Sequence, residues 1–194
     1  TICDMDLTLT WDLFIVFFFA VVTAYSFIIG KHETLKILVA VYIAILATQG
    51  IGNILIRFSG EAEPVYRILK VMGVTLNLST VSLSKLVVFM LAIVLVALKG
   101  GFAVQYGRSH GSLIAIIATG LFGFATAGLV IMALLTFIAG SPLLDRTLAL
   151  QPALLPLLQT SALVQVMVLN QDLWFSLPAL LLVGFGLLRE DAGR

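Results

Sequence analysis

Long apolar runs without formal charge, separated by short polar breaks, dominate the pattern along this chain. The first runs from Leu13 through Ile29, with Phe17-Phe18-Phe19 at its centre and Trp11 near one end. A helix needs about 20 predominantly apolar residues to cross a hydrocarbon core of about 30 Å. Residues 11–29 therefore predict a first membrane span, with Trp11 as an interfacial anchor. The polar stretch 31–36 is short, so residues 37–56 predict a second span returning antiparallel to the first. Residues 81–98 predict a third, with Lys85 near one end, where its apolar stem lets the ammonium snorkel towards the headgroups. The stretch 109–144 has no formally charged residue and predicts a fourth span over 113–138.

The remaining apolar stretches are broken. Residues 64–73 follow an acidic turn and place Val65, Ile68, Leu69 and Met72 on one face, with Arg67 and Lys70 elsewhere. That pattern predicts a short interfacial helix. Residues 147–171 lack charge, but Pro152 and Pro156 interrupt them and Gln151, Gln159, Gln165 and Gln171 add polarity, so an interfacial or re-entrant segment is expected. Residues 173–188 contain Pro178 after Trp174-Phe175 and either span with help from their flanks or dip partly into the bilayer. The expected fold class is thus all-α: a polytopic membrane helix bundle with about four or five transmembrane or re-entrant helices, in a single integral membrane domain over residues 1–194. The first span leads directly into Lys31-His32-Glu33 with no small-residue cleavage site, so it is expected to be permanent rather than a removed signal, and Met5 is a candidate start.

Composition sharpens this picture. The chain is 61% hydrophobic and 11% charged, against about 25% charged in soluble domains. Eleven Lys and Arg against ten Asp and Glu are scattered rather than gathered into a phosphate-binding stripe, so nucleic acid is not an expected partner. The single cysteine, Cys3, excludes an intramolecular disulfide and offers no zinc-ligand spacing. With five spans and an outside N-terminus, the inner segments collect Lys31, Lys36, Lys99, Arg108, Arg189 and Arg194, and the outer ones Arg57, Arg67, Lys70 and Arg146. This is the orientation that the positive-inside rule prefers.

Two stripes of small residues stand out. Ala40, Ala44, Thr48 and Gly52 recur every four positions, and Gly120, Gly123 and Ala127 form a second smooth face continued by Gly128. Both are expected to bring helix backbones into close contact, within one chain or between copies. Gln49 and Asn53 form a polar stripe nearby, suited to hydrogen bonding between helices or to lining a polar path. Chemistry is harder to find. His32 and His110 belong to no metal-binding pattern, Asp12 sits where a carboxylate reaches water at a helix start, and Asp145-Arg146 fits an exposed turn. No catalytic residue, metal site or cofactor is assigned.

The order of features across residues 12–188 resembles the colicin V production protein family of small polytopic bacterial membrane proteins. The residues that carry the resemblance are Asp12, the connection Gly30-Lys31-His32-Glu33-Thr34-Leu35-Lys36, the Gly120-Leu121-Phe122-Gly123 helix, and Gln171-Asp172-Leu173-Trp174-Phe175-Ser176-Leu177-Pro178. The segment Tyr106-Gly107-Arg108-Ser109-His110-Gly111 departs from the family's pattern by lacking an acid. The resemblance implies a bacterial envelope protein of the cytoplasmic (inner) membrane, serving as a noncatalytic scaffold or accessory subunit in membrane homeostasis or export. Expected partners are membrane lipids and either a second copy or another membrane protein. The alternative is a small channel or transporter subunit with a polar path near Gln49 and Asn53.

Overall fold

A computed structural model describes residues 10–58, 78–99, 112–145 and 147–191. The expected helix at 64–73, Cys3, His110, Arg146 and the connection 106–111 lie outside the described residues. Those described are helical throughout, with no strand among them: α1 Trp11–Ile29, α2 Lys31–Phe58, α3 Leu78–Lys99, α4 Ser112–Ala139, a 3-10 turn Leu148–Leu150, α5 Leu155–Thr160, α6 Ala162–Leu169 and α7 Gln171–Asp191. Three of these helices are long and apolar enough to cross a membrane, and the α6–α7 pair, bent by 68° at its junction, would make a fourth. The protein is an integral membrane protein with an all-α bundle.

The polar stretch 31–36 is not a loop. Gly30 takes a positive φ of 81°, a conformation open to glycine at little cost, and α2 restarts on the next residue. The Gly30 N–H donates to the Ser26 carbonyl at 3.0 Å, and the Thr34 hydroxyl donates back to the Gly30 carbonyl at 2.9 Å. Lys31, His32 and Glu33 thereby become the first turn of a 28-residue helix, about 42 Å long at 1.5 Å per residue. That length exceeds the hydrocarbon core, which leaves the polar first turn at the headgroups.

Side-chain contacts set the directions of the helices. Residues Val41 to Ile45 of α2 pack with Phe89 of α3, while Gly52, further along α2, meets Lys85, earlier in α3; the two run antiparallel. Gly120 and Gly123 of α4 face Phe27 and Ser26 of α1, and Phe124 stacks on Phe19, so α1 and α4 are antiparallel too. Gly128 takes the Trp174 indole and Phe122 meets Phe185, which sets α7 antiparallel to α4. The core between them holds Leu35, Leu38, Phe89, Phe122, Leu129, Met132 and Phe137, all buried.

The stretch 147–171 forms short pieces because prolines and side-chain caps break it. Pro156 stands in the first turn of α5, where its missing N–H costs nothing, and Ser161 ends α5 while starting α6, accepting from the Val164 N–H at 3.1 Å. These pieces pack on the N-terminal end of α1 through Ile15, Leu148, Leu154, Val164 and Met167. Pro178 does not stop α7, a helix of 21 residues that runs through it.

Candidate functional site

Both small-residue stripes are spent inside the chain. Ala40, Ala44, Thr48 and Gly52 are all buried on the face of α2 that meets its neighbours. A methyl group at Gly123 would stand 2.6 Å from Ser26 Oγ and 3.3 Å from the Thr23 Cα, and one at Gly120 would stand 3.0 Å from the Phe27 ring. Ala127 is buried on the same helix. These contacts tie α4 to α1 within one molecule.

The polar residues that sequence places on α2 come together with one that it does not. Lys85, with its stem expected in apolar surroundings near one end of its helix, is 2% exposed as a whole residue. Its methylenes lie across Gly52, so closely that a side chain there would occupy the same space as Cε. A lysine stem packs against a backbone in this way only where the facing residue has no Cβ, and Gly52 supplies that surface. Lys85 is about 10 Å inside the start of α3, counting 1.5 Å per residue. The ion pair Lys36 to Glu33, at 3.8 Å, is at the start of α2, and the acids whose side chains are described, Asp12, Glu33, Asp145 and Asp172, all stand at helix ends or in turns. No described carboxylate neutralises Lys85.

On α2, within a turn of Gly52, polar atoms are left without partners. Thr48, one turn before Gly52, is fully buried and its Oγ1 has no hydrogen bond. That is unlike the hydroxyls of Ser26, Thr34, Thr119, Thr126, Thr136 and Thr160, each of which donates to the carbonyl four residues earlier at 2.7–2.9 Å. Such back-bonding is the usual way a helical threonine is satisfied in lipid, and Thr48 forgoes it. The Gln49 Nε2 donates to Asn53 Oδ1 at 3.2 Å, while the Gln49 Oε1 is buried and unpartnered. The Gln49 and Asn53 pair is therefore made along one helix, with Gln49 half-buried and Asn53 exposed. One turn deeper, the edge-on pair Phe89 and Phe137, with centroids 5.2 Å apart, joins Val41, Ile45 and Leu129 in an apolar layer. Thr48, Gln49, Gly52 and Lys85 thus lie on one side of an aromatic layer.

Two further polar contacts link distant parts of the chain. Asp12 accepts from the Ser161 hydroxyl and from the Leu163 N–H at 3.0 Å. It serves the N-terminus of α6, where a carboxylate is favoured, rather than only its own helix start. The Tyr42 hydroxyl donates to the Phe175 carbonyl at 2.6 Å, three residues before Pro178, whose ring disturbs the local ladder. Neither pairing could be found from one sequence, since the partners are 149 and 133 residues apart. A signal for Lys85 did exist: it is the lone charge between 78 and 98, and intramembrane ionisable residues usually mark function. Asp145 takes up an exposed turn, accepting from Thr147 N–H and Oγ1 at 2.9 and 2.8 Å. His32 is exposed, and no group of three potential metal ligands exists among the described residues. The chain matches no family model, no curated protein and no solved structure.

Proposed function

We propose that this chain is a small, noncatalytic membrane transport protein, or the channel or transporter subunit of a larger one, that receives a polar solute at Lys85, Thr48 and Gln49. The observation that carries this reading is the buried Lys85, packed on Gly52 of α2, the helix that also carries two buried polar atoms without partners at Thr48 and Gln49. Burying a lysine and a hydroxyl in a bilayer costs free energy unless something pairs with them, so their retention calls for an occupant. The test is flux. Purified protein in proteoliposomes should conduct or exchange a small polar solute, and Lys85→Met should abolish it. Flux equal to empty vesicles across charged and neutral solutes, or flux untouched by Lys85→Met, rejects the reading.

A second reading, a scaffold or accessory subunit of the bacterial cytoplasmic membrane, as the resemblance to the colicin V production family implies, is favoured by α1. Only 11% of its apolar window is buried within the chain, which leaves Leu13, Val16, Phe17, Val21 and Ile28 facing outwards towards lipids or another membrane helix. A defined oligomer in native lipids, cross-linked through α1, together with an absence of flux would make this the better account.

A further inference from the structure

We propose that the Tyr42 hydroxyl is the pin of a hinge in α7, and that the half of α7 beyond Pro178 is a lid over the α1–α2 end of the bundle. The hinge begins with the proline. Pro178 has no N–H, so the ladder of α7 lacks the rung that would end on the Trp174 carbonyl. The next rung would join the Phe175 carbonyl to the Ala179 N–H, and there the Tyr42 side chain of α2 steps in. Its hydroxyl donates to the Phe175 carbonyl at 2.6 Å, and the Ala179 N–H turns to the same oxygen as a donor. Tyr42 is about 16 Å along α2, at 1.5 Å per residue, deep in the bilayer, where no water takes over a backbone group that loses its partner. The two groups have a second way to be satisfied: once the hydroxyl withdraws, they pair with each other. One sequence thus supports two arrangements of the same backbone, which is what a hinge requires.

The two sides of the hinge are held unequally among the described side chains. Before Pro178, the Trp174 indole fills the space over Gly128 and meets the Phe19 and Phe124 rings, while Phe175 packs on two buried clusters. After it, Leu181, Leu182 and Phe185 rest on Leu35, Ala118 and Phe122. Leu180 and Val183 are exposed, and a side chain at Gly184 would meet nothing within 4 Å. The lightly held half is the one that moves, and its swing uncovers Leu35, Ala118 and Phe122. The hinge is independent of the reading of Lys85.

The experiment reads spin-label separations by electron paramagnetic resonance on the purified full chain, with Cys3 replaced by Ser, in phosphatidylcholine nanodiscs. Ile117→Cys with Val183→Cys reports the lid, and Ile138→Cys with Leu173→Cys reports the anchored half; all four positions are exposed. Tyr42→Phe removes the hydroxyl and keeps the ring. It should change the lid separation by about 3 Å, the travel of Val183, about 7.5 Å of helix beyond Pro178, in a swing of about 25°, an ordinary size for a proline kink. The anchored pair should stay where it is. Leu182→Ala, which loosens the lid with Tyr42 in place, should broaden the lid separation towards the same new value. Lid separations unchanged in Tyr42→Phe, or in Leu182→Ala where Tyr42→Phe does not fold, make Tyr42 a static staple and overturn the proposal. Equal shifts in both pairs, a tilt of α7 as a whole, overturn it too.

Discussion

At the scale of single residues, glycines do opposite things two positions apart. Gly50 and Gly52 lie on one helix, yet a side chain at Gly50 meets nothing within 4 Å, whereas one at Gly52 displaces the Lys85 stem. Gly50→Ala should therefore leave the protein as stable or more stable, by up to about 1 kcal/mol from helix propensity alone. Gly52→Ala should displace the Lys85 stem from its groove and lower stability; paired thermal scans of the two variants read both. On α4 the matched pair is Gly123→Leu and Leu129→Ile. The first drives a side chain into Ser26 and the Thr23 backbone, costing at least the 1–3 kcal/mol typical of overpacking. The second keeps apolar volume in a buried position and should cost less than about 1.5 kcal/mol. Because the Gly123 contact is internal, the Gly123→Leu monomer itself should lose stability in a nanodisc, and an unchanged monomer that fails only to associate would contradict the contact described here. The small residues were legible in the sequence as packing surfaces. Which helix each would meet was not, since a smooth stripe fits any backbone, and the burial of Lys85 was hidden because hydropathy counts a lysine without regard to the glycine facing it.

At the scale of elements, apolar runs located the long helices to within a few residues: the expected spans at 11–29 and 113–138 stand against Trp11–Ile29 and Ser112–Ala139. The run at 81–98 falls on the helix Leu78–Lys99, whose apolar part Ser82–Val96 is shorter than the three helices able to cross a membrane. Apolar length fixes how much helix a bilayer needs. It says nothing of polar residues that extend a helix beyond the hydrocarbon, which is why α2 begins at Lys31 rather than near residue 37. The breaks in 147–171 were foreshadowed by Pro152 and Pro156, but the cap that organises α6 comes from Asp12, far away in sequence. Asp12→Ala should leave the Leu163 N–H and the Ser161 hydroxyl short of an acceptor; amide hydrogen exchange should rise across Ala162–Leu169 and stay unchanged in α3. In α7 the Tyr42 hydroxyl satisfies a carbonyl beside the proline distortion. Tyr42→Phe should cost about 1 kcal/mol.

At the scale of the molecule, the antiparallel contacts put the start of α1, the start of α3, the end of α4 and the start of α7 at one end of the bundle, and the α1–α2 junction at the other. With Cys3 replaced by Ser, single cysteines at Glu33 and Asp145 should react with a membrane-impermeant thiol reagent from opposite faces of sealed vesicles. Reaction of both from one face would refute this topology, and the basic residues at Lys31 and Lys36 make the Glu33 face the expected cytoplasmic one. One arrangement bears on how the chain comes together in time. Helix α1 leans mainly on α4 and only lightly on α2, its neighbour in sequence, and its N-terminal end closes on α6 through Asp12. When the ribosome has delivered α1 and α2, the hairpin has little to hold it. The first helix must wait in the lipid as a lone rod through the synthesis of nearly a hundred residues, until α4 arrives to receive it at Gly120 and Gly123. The docking of the first helix is thus among the last steps of folding, and it is the step that substitutions along the glycine face of α4 would stall.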